Sequence, residues 1–105
     1  MRVHVNTNSS VEGDESLEAH VEEVVLNVLA RFKEDVTRVE VHITDENSHK
    51  GGTDDKRCMM EARIEGLNPV AVTHNAGTVK ESVSGAATKM RNALSTTLGR
   101  AKRHR

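Results

Sequence analysis

The feature that most constrains the fold is the hydrophobic period, which switches between helical and strand spacing along the 105 residues. Apolar residues recur every three or four positions from Leu17 to Phe32 and again from Val83 to Leu98, as on one face of a helix. Elsewhere apolar and polar residues alternate, which is the spacing of half-buried strands. The order of these periods predicts the element order β-α-β-β-β-α.

The alternating segments give four predicted strands, at residues 2–6, 38–44, 57–65 and 70–73, with the last one broken at His74. The first helix is predicted from about residue 15 to 33, with Asp14 as its N-cap. Thr78 and Glu81 form a capping-box pattern at the start of the second helix. That helix either ends at Gly99, after about residue 98, or continues into the basic tail.

The short connections between the last three strands predict antiparallel pairing, whereas the first strand reaches the second through a helix and can pair parallel to it. Each strand has one apolar face and each helix one apolar stripe. The expected fold is therefore an α+β, two-layer domain over residues 1–105, with both helices on one face of a four-stranded sheet. The polar segment 45–56, with its double glycine, is expected to be a mobile loop.

The composition argues against several kinds of chemistry. Cys58 is the single cysteine, and it is in phase with Met60 and Ile64, so it is interpreted as a core residue rather than a nucleophile. The six histidines lack zinc-ligand spacing, and no phosphate loop or nucleophile motif occurs. We expect a non-enzymatic protein without metal, cofactor or small-molecule substrate. It has no membrane-length apolar run, and a cytoplasmic location is expected.

A net charge of −1 hides a strong separation of charge along the chain. Residues 12–23 contain six acids and no Lys or Arg, whereas residues 89–105 contain six bases and no acid. A basic tail of this kind is typical of phosphate binding, and equally of a solvated helix end whose cations complement the dipole. The face of the sheet away from the helices is expected to be polar and to lack the aromatic residues that stack on single-stranded RNA bases. Its predicted residues are Arg2, His4, Arg38, Glu40, His42, Glu61, Arg63, Ala71 and Thr73.

Several short sequence stretches, taken together in their order along the chain, resemble the bacterial ribosome hibernation promoting factor family, also called ribosome-associated inhibitor or sigma-54 modulation protein. They are Val11-Glu12 with Asp14 and Leu17, then 39–43 (VEVHI), 61–66 (EARIEG), 70–72 (VAV), and the Val83 helix with Lys89-Met90. The resemblance implies a fold similar to double-stranded RNA-binding domains, in the short form of the family. It also implies stress-related silencing of translation by binding the small ribosomal subunit in the mRNA and tRNA channel. The rRNA contacts that it implies are Lys89, Arg91, Arg100, Lys102 and Arg103.

The sequence departs from the family pattern on both helices. The first helix carries Glu18, Glu22 and Glu23, where family members usually carry lysines. The second helix carries Asn92 and Ser95 at exposed positions where the family pattern has closely spaced lysines and arginines. The alternative hypothesis is therefore a protein-interaction domain of the same fold that no longer binds ribosomes. Such a domain would use the acidic helix or an edge strand to bind a basic partner or to form a weak homodimer.

Overall fold

A computed structural model describes residues 1–8, 11, 13–46 and 56–103, without the side chains of residues 102 and 103. The elements follow the predicted order, and their bounds are β1 (Arg2–Thr7), α1 (Glu15–Val28), a 3₁₀ helix (Ala30–Phe32), β2 (Val36–Asp45), β3 (Lys56–Ile64), β4 (Val70–Ala76) and α2 (Val79–Arg103). The predicted loop at 45–56 lies outside the described residues from 47 to 55. Within the described chain, no helix is long and apolar enough to cross a membrane.

The four strands form one sheet in the order β1-β2-β3-β4. β1 pairs parallel to β2, and the other two neighbouring pairs are antiparallel, as the connections predicted. The register places Val3 beside Val39 and Val5 beside Val41, so the apolar positions of neighbouring strands lie on the same face. Because side chains alternate along a strand, this register leaves the other face polar.

The core lies between the apolar face of the sheet and the two helices, and it is built from aliphatic residues and one phenylalanine. Its fully buried members include Val25 and Leu29 beside α2, Ile43 and Met60 on the sheet, and Met90 on α2. Burying such a side chain contributes about 1.5–3 kcal/mol relative to leaving it exposed. This single apolar interior holds both helices on one face of the sheet.

Cys58 lies within this interior, as its phase with Met60 and Ile64 predicted. Its side chain is fully buried, and burial raises the pKa of the thiol to about 12. The neutral thiol therefore dominates at physiological pH, and Cys58 behaves as a small apolar residue.

Side chains fix the starts of both helices at the predicted caps. The Asp14 Oδ1 atom accepts a hydrogen bond from the Leu17 amide at 2.8 Å, and the Thr78 hydroxyl accepts one from the Glu81 amide at 3.1 Å. Each bond satisfies an amide that lacks a partner within its own helix. Of the two predicted ends for the second helix, the structure has the longer, because α2 continues through Gly99 to Arg103.

Two predicted boundaries were wrong. The first helix does not run to residue 33, because α1 ends at Val28 and a tighter 3₁₀ turn follows, in which the Phe32 amide bonds to the Leu29 carbonyl. That turn still directs Phe32 into the core, which is why the helical stripe seemed continuous in sequence. The fourth strand does not break at His74; it continues to Ala76, and His74 pairs with Cys58 of β3.

Candidate nucleic-acid interface

α2 is held against β4 by two contacts between the helix and this edge strand. The Lys89 ammonium donates a hydrogen bond to the Thr73 carbonyl at 2.9 Å. Four residues earlier along α2, Gly85 lies against the ring of His74, where a Cβ atom would come within 2.6 Å of the His74 Cγ. These contacts identify one side of α2 as its β4 side.

The opposite side of α2 faces α1 and the 3₁₀ helix that follows it. Lys80 lines a cavity together with Ser16 and His20 of α1. Further along, the Ser95 hydroxyl accepts a hydrogen bond from the Arg31 guanidinium at 2.8 Å. The Arg31 guanidinium also lies 4.7 Å above the centre of the Phe32 ring, and its bond to Ser95 places it beside α2.

The cations of α2 therefore divide into two rows. Because a helix turns about 100° per residue, residues eleven apart return to nearly the same side. Lys80 and Arg91 lie on the α1 side, where Arg31 joins them; we call these three the α1-side row. Lys89 and Arg100 lie on the β4 side and form the β4-side row. The predicted contacts Lys89 and Arg91, although close in sequence, point to opposite sides of the helix.

The predicted contact residues differ in how free they are to bind phosphate. Arg91 and Arg100 are exposed, and within the described part of the chain neither has a hydrogen-bond or ion-pair partner. Lys89 is also exposed, but its ammonium bonds to the backbone of β4. α2 includes Lys102 and Arg103 as its last residues, and their side chains lie outside the described residues. The free cations thus occur on both rows.

Between the rows, the solvent face of α2 is polar and uncharged. Ser84, Thr88 and Asn92 are exposed at four-residue spacing, and Ser95 follows on the same face. We call these four residues the polar stripe. Glu81 ends it on the N-terminal side, and the sequence contains no Asp or Glu after that position.

The exposed face of α1 carries the opposite charge. Its four glutamates are exposed, and no described Lys, Arg or His pairs with any of them: Glu15, Glu18, Glu22 and Glu23. Their negative charge opposes contact with phosphate on this side of the domain. The helix layer is thus acidic on α1 and basic on α2.

The sheet face that points away from the helices, which we call the bare face, carries charges that are largely paired with one another. The register aligns Arg2, Arg38 and Arg63 in one row across three strands, and Glu40 beside Glu61 in the next. The three arginines therefore face like charge across the strands, and so do the two glutamates. The compensating ion pairs run along the strands, from Arg38 to Glu40 and from Arg63 to Glu61.

Two cross-strand side-chain contacts join β1 to β2. The His4 ring and the Asn6 amide both contact the Glu40 carboxylate, at 3.1 and 3.3 Å. The His4 hydrogen bond and the Arg38 charge hold the pKa of Glu40 below its ordinary value. These contacts hold the edge strand β1 against β2. The charged groups of the bare face that take part in them therefore have a structural role.

Sequence reasoning identified the cations of the second helix. It missed their division into two rows and did not include Lys80 and Arg31 among the predicted contact residues. The repeated spacing of eleven residues was visible in the sequence and signals the two rows. The Lys89 contact was not visible, because it depends on where α2 crosses β4. Among the described residues, no group of three or more His, Cys, Asp or Glu side chains is placed to hold a metal ion.

These features define a class: a small α+β domain with a basic helix laid over an edge strand of a mixed sheet. The sequence profile of the sigma-54 modulation protein / S30EA ribosomal protein family matches residues 4–102. The chain belongs to this family, which confirms the family predicted from the ordered sequence stretches. No curated protein sequence matches the chain.

Two solved structures share the fold at low sequence identity. The N-terminal domain of Protein Y from Thermus thermophilus superposes with a TM-score of 0.73 at 12% identity, covering 92% of this chain and 99% of that one. A ribosomal subunit interface protein from Coxiella burnetii superposes with a TM-score of 0.76 at 11% identity, covering 94% and 99%. Both likenesses bear out the predicted α+β architecture.

Proposed function

We propose that this protein binds the small ribosomal subunit in the cytoplasm, in the channel used by mRNA and tRNA, and silences translation during stress. The observation that carries the proposal is the basic course of α2, which has no acid after Glu81, with Arg91 and Arg100 exposed and unpaired among the described residues. In a member of the S30EA ribosomal protein family, such a helix supports rRNA as its target. A ribosome-bound factor needs no catalytic group, and we propose none.

The proposed rRNA contacts are Lys89, Arg91, Arg100, Lys102 and Arg103, with Arg31 and Lys80 added by the position of the α1-side row. Arg91 and Arg100 are the contacts to test first, because no described partner competes with phosphate for their guanidinium groups. Lys89 would have to exchange its bond to the Thr73 carbonyl for one to phosphate, so a smaller effect is expected from its removal.

The test is co-sedimentation of the purified protein with small subunits across a series of salt concentrations. Each phosphate contact contributes a slope of about 0.7–0.9 to the dependence of log affinity on log salt. Changing both Arg91→Gln and Arg100→Gln should weaken binding and reduce that slope by about 1.4–1.8. A matched control changes Arg2→Gln and Arg63→Gln, which remove the same charge from the bare sheet face.

Equal weakening in both double variants would mean that only net charge matters, and would remove α2 from the proposed interface. Wild-type protein that stays at the top of the gradient at low salt would refute ribosome binding. It would favour the alternative, an interaction domain that uses the unpaired glutamates of α1. Placement in the channel is tested separately, by competition with mRNA and initiator tRNA and by inhibition of cell-free translation.

A further inference from the structure

We infer that the solvent face of α2 is shaped to lie in the minor groove of an A-form RNA helix. This inference rests on the proposed function and deepens it, because it names the form of RNA that the site takes. Its basis is the polar stripe, which has cations on both sides along a helix face that no other element covers in the described structure. The occupant is double-stranded RNA rather than unpaired RNA or duplex DNA.

The first step concerns the charge on the two sides of the stripe. A double helix presents two lines of phosphates, one on each side of its minor groove. The α1-side row and the β4-side row likewise place cations on opposite sides of α2. Arg91 can reach one line of phosphates and Arg100 the other, whereas a single row would follow only one strand. Long arginine side chains extend sideways from the helix while their stems stay against it.

The second step concerns the stripe itself. The minor groove of A-form RNA is wide and shallow and displays 2′-hydroxyl groups and base edges. Short hydroxyl and amide side chains, such as those of Ser84, Thr88 and Asn92, can donate to and accept from those groups. Lysines or arginines at these positions would hold the backbone away from the groove floor. The short side chains of the polar stripe thus permit close approach.

The third step concerns which nucleic acid fits. An α-helix with its side chains is about 10–12 Å across, whereas the minor groove of B-form DNA is about 6 Å wide. DNA also lacks the 2′-hydroxyl. Unpaired RNA is best bound by aromatic stacking, and the chain has no Tyr or Trp, while its single Phe, Phe32, is buried in the core. The major groove of B-form DNA, about 12 Å wide, also admits a helix, so the 2′-hydroxyl groups, and not the width alone, distinguish A-form RNA as the ligand of this face.

The stripe can be tested on defined nucleic acids at low salt. Fluorescence anisotropy should rank an RNA duplex above a DNA duplex of the same sequence and above single-stranded RNA. The triple change Ser84→Ala, Thr88→Val and Asn92→Ala should cut RNA-duplex affinity by about fivefold for each hydrogen bond lost. Its salt slope should stay as in the wild type, since no charge is removed. Equal binding of RNA and DNA duplexes, or an unaffected triple variant, would overturn the inference.

The closing experiment is hydroxyl-radical probing on the small subunit from an iron chelate tethered to one engineered cysteine. Because Cys58 is fully buried, Thr96→Cys, exposed on α2 beside the stripe, and Ala19→Cys on exposed α1 can each be labelled alone. Co-sedimentation is measured on the same samples. Cleavage of paired rRNA from Thr96→Cys, and none from Ala19→Cys, is expected. Cleavage confined to unpaired rRNA overturns this inference with ribosome binding intact. Absence of co-sedimentation overturns the proposed function itself.

Discussion

Gly85→Ala is expected to destabilise the fold although alanine is the better helix residue. In a free helix interior this change is worth about 1 kcal/mol in favour of alanine. Here the new Cβ would lie 2.6 Å from Cγ of His74 and closer still to the Cδ2 and Nε2 atoms of the same ring. Overpacking of this kind costs typically about 1–3 kcal/mol. The expected net loss of stability is therefore about 1 kcal/mol.

The sign of the effect should depend on His74. In a His74→Ala background the new methyl group meets no ring, so Gly85→Ala should stabilise the protein by up to about 1 kcal/mol. The double-mutant cycle should then give a coupling of about 2 kcal/mol between the two positions. Gly99→Ala is the matched control in the same helix, because a Cβ there would have no neighbour within 4 Å, and it should stabilise outright.

Urea and thermal denaturation measure these differences directly. For a domain of about this size, 1 kcal/mol corresponds to a shift of roughly 4–8 °C in Tm. Gly85→Ala should melt below the wild type and Gly99→Ala above it. If Gly85→Ala stabilised the protein with His74 present, the close packing of α2 on β4 would be refuted. The position of α2 on the sheet, and with it the assignment of its β4 side, would then be wrong as well.

Two further predictions concern the bare face and the core. The lowered pKa of Glu40 means that its stabilising contribution is present at neutral pH and is lost as the pH falls through the folded-state pKa, below the ordinary value of 4.5. The difference in unfolding free energy between wild type and Glu40→Gln should therefore narrow from pH 7 to pH 3, and a constant difference would argue against the contacts with His4 and Arg38. The Cys58 thiol, buried and with a pKa of about 12, should react with a disulfide reagent at pH 8 in urea but not in the native protein. Fast native labelling would contradict the placement of β3.

Most of the architecture was visible in the sequence because hydrophobic period reports directly on which face of an element is buried. The phase of Val39, Val41 and Ile43, for example, predicted β2 and its buried face. The end of the fourth strand was misplaced because it depends on a tertiary contact. His74 looked like a strand breaker, yet a polar ring can face the helix layer when a glycine such as Gly85 leaves room for it.

The candidate site was predicted less completely than the fold. The cations of the second helix were identified, but the division into rows follows from which side of α2 meets β4 and which meets α1. Arg31 was assigned to the end of the first helix, and its bond to Ser95 places it beside the second. This contact joins residues 64 positions apart, and no local pattern in the sequence encodes it.

The distribution of charge constrains how the domain can approach RNA. α1 and α2 lie side by side on the sheet, so phosphate attracted to one helix is repelled by the other. The α1 glutamates oppose a phosphate that comes within about 8 Å of them, the Debye length at physiological salt. An RNA duplex lying along α2 would therefore be displaced toward the β4 edge. Arg100 should for this reason contribute more than Arg91 to the proposed interface, an asymmetry that a family pattern with lysines on both helices would not produce.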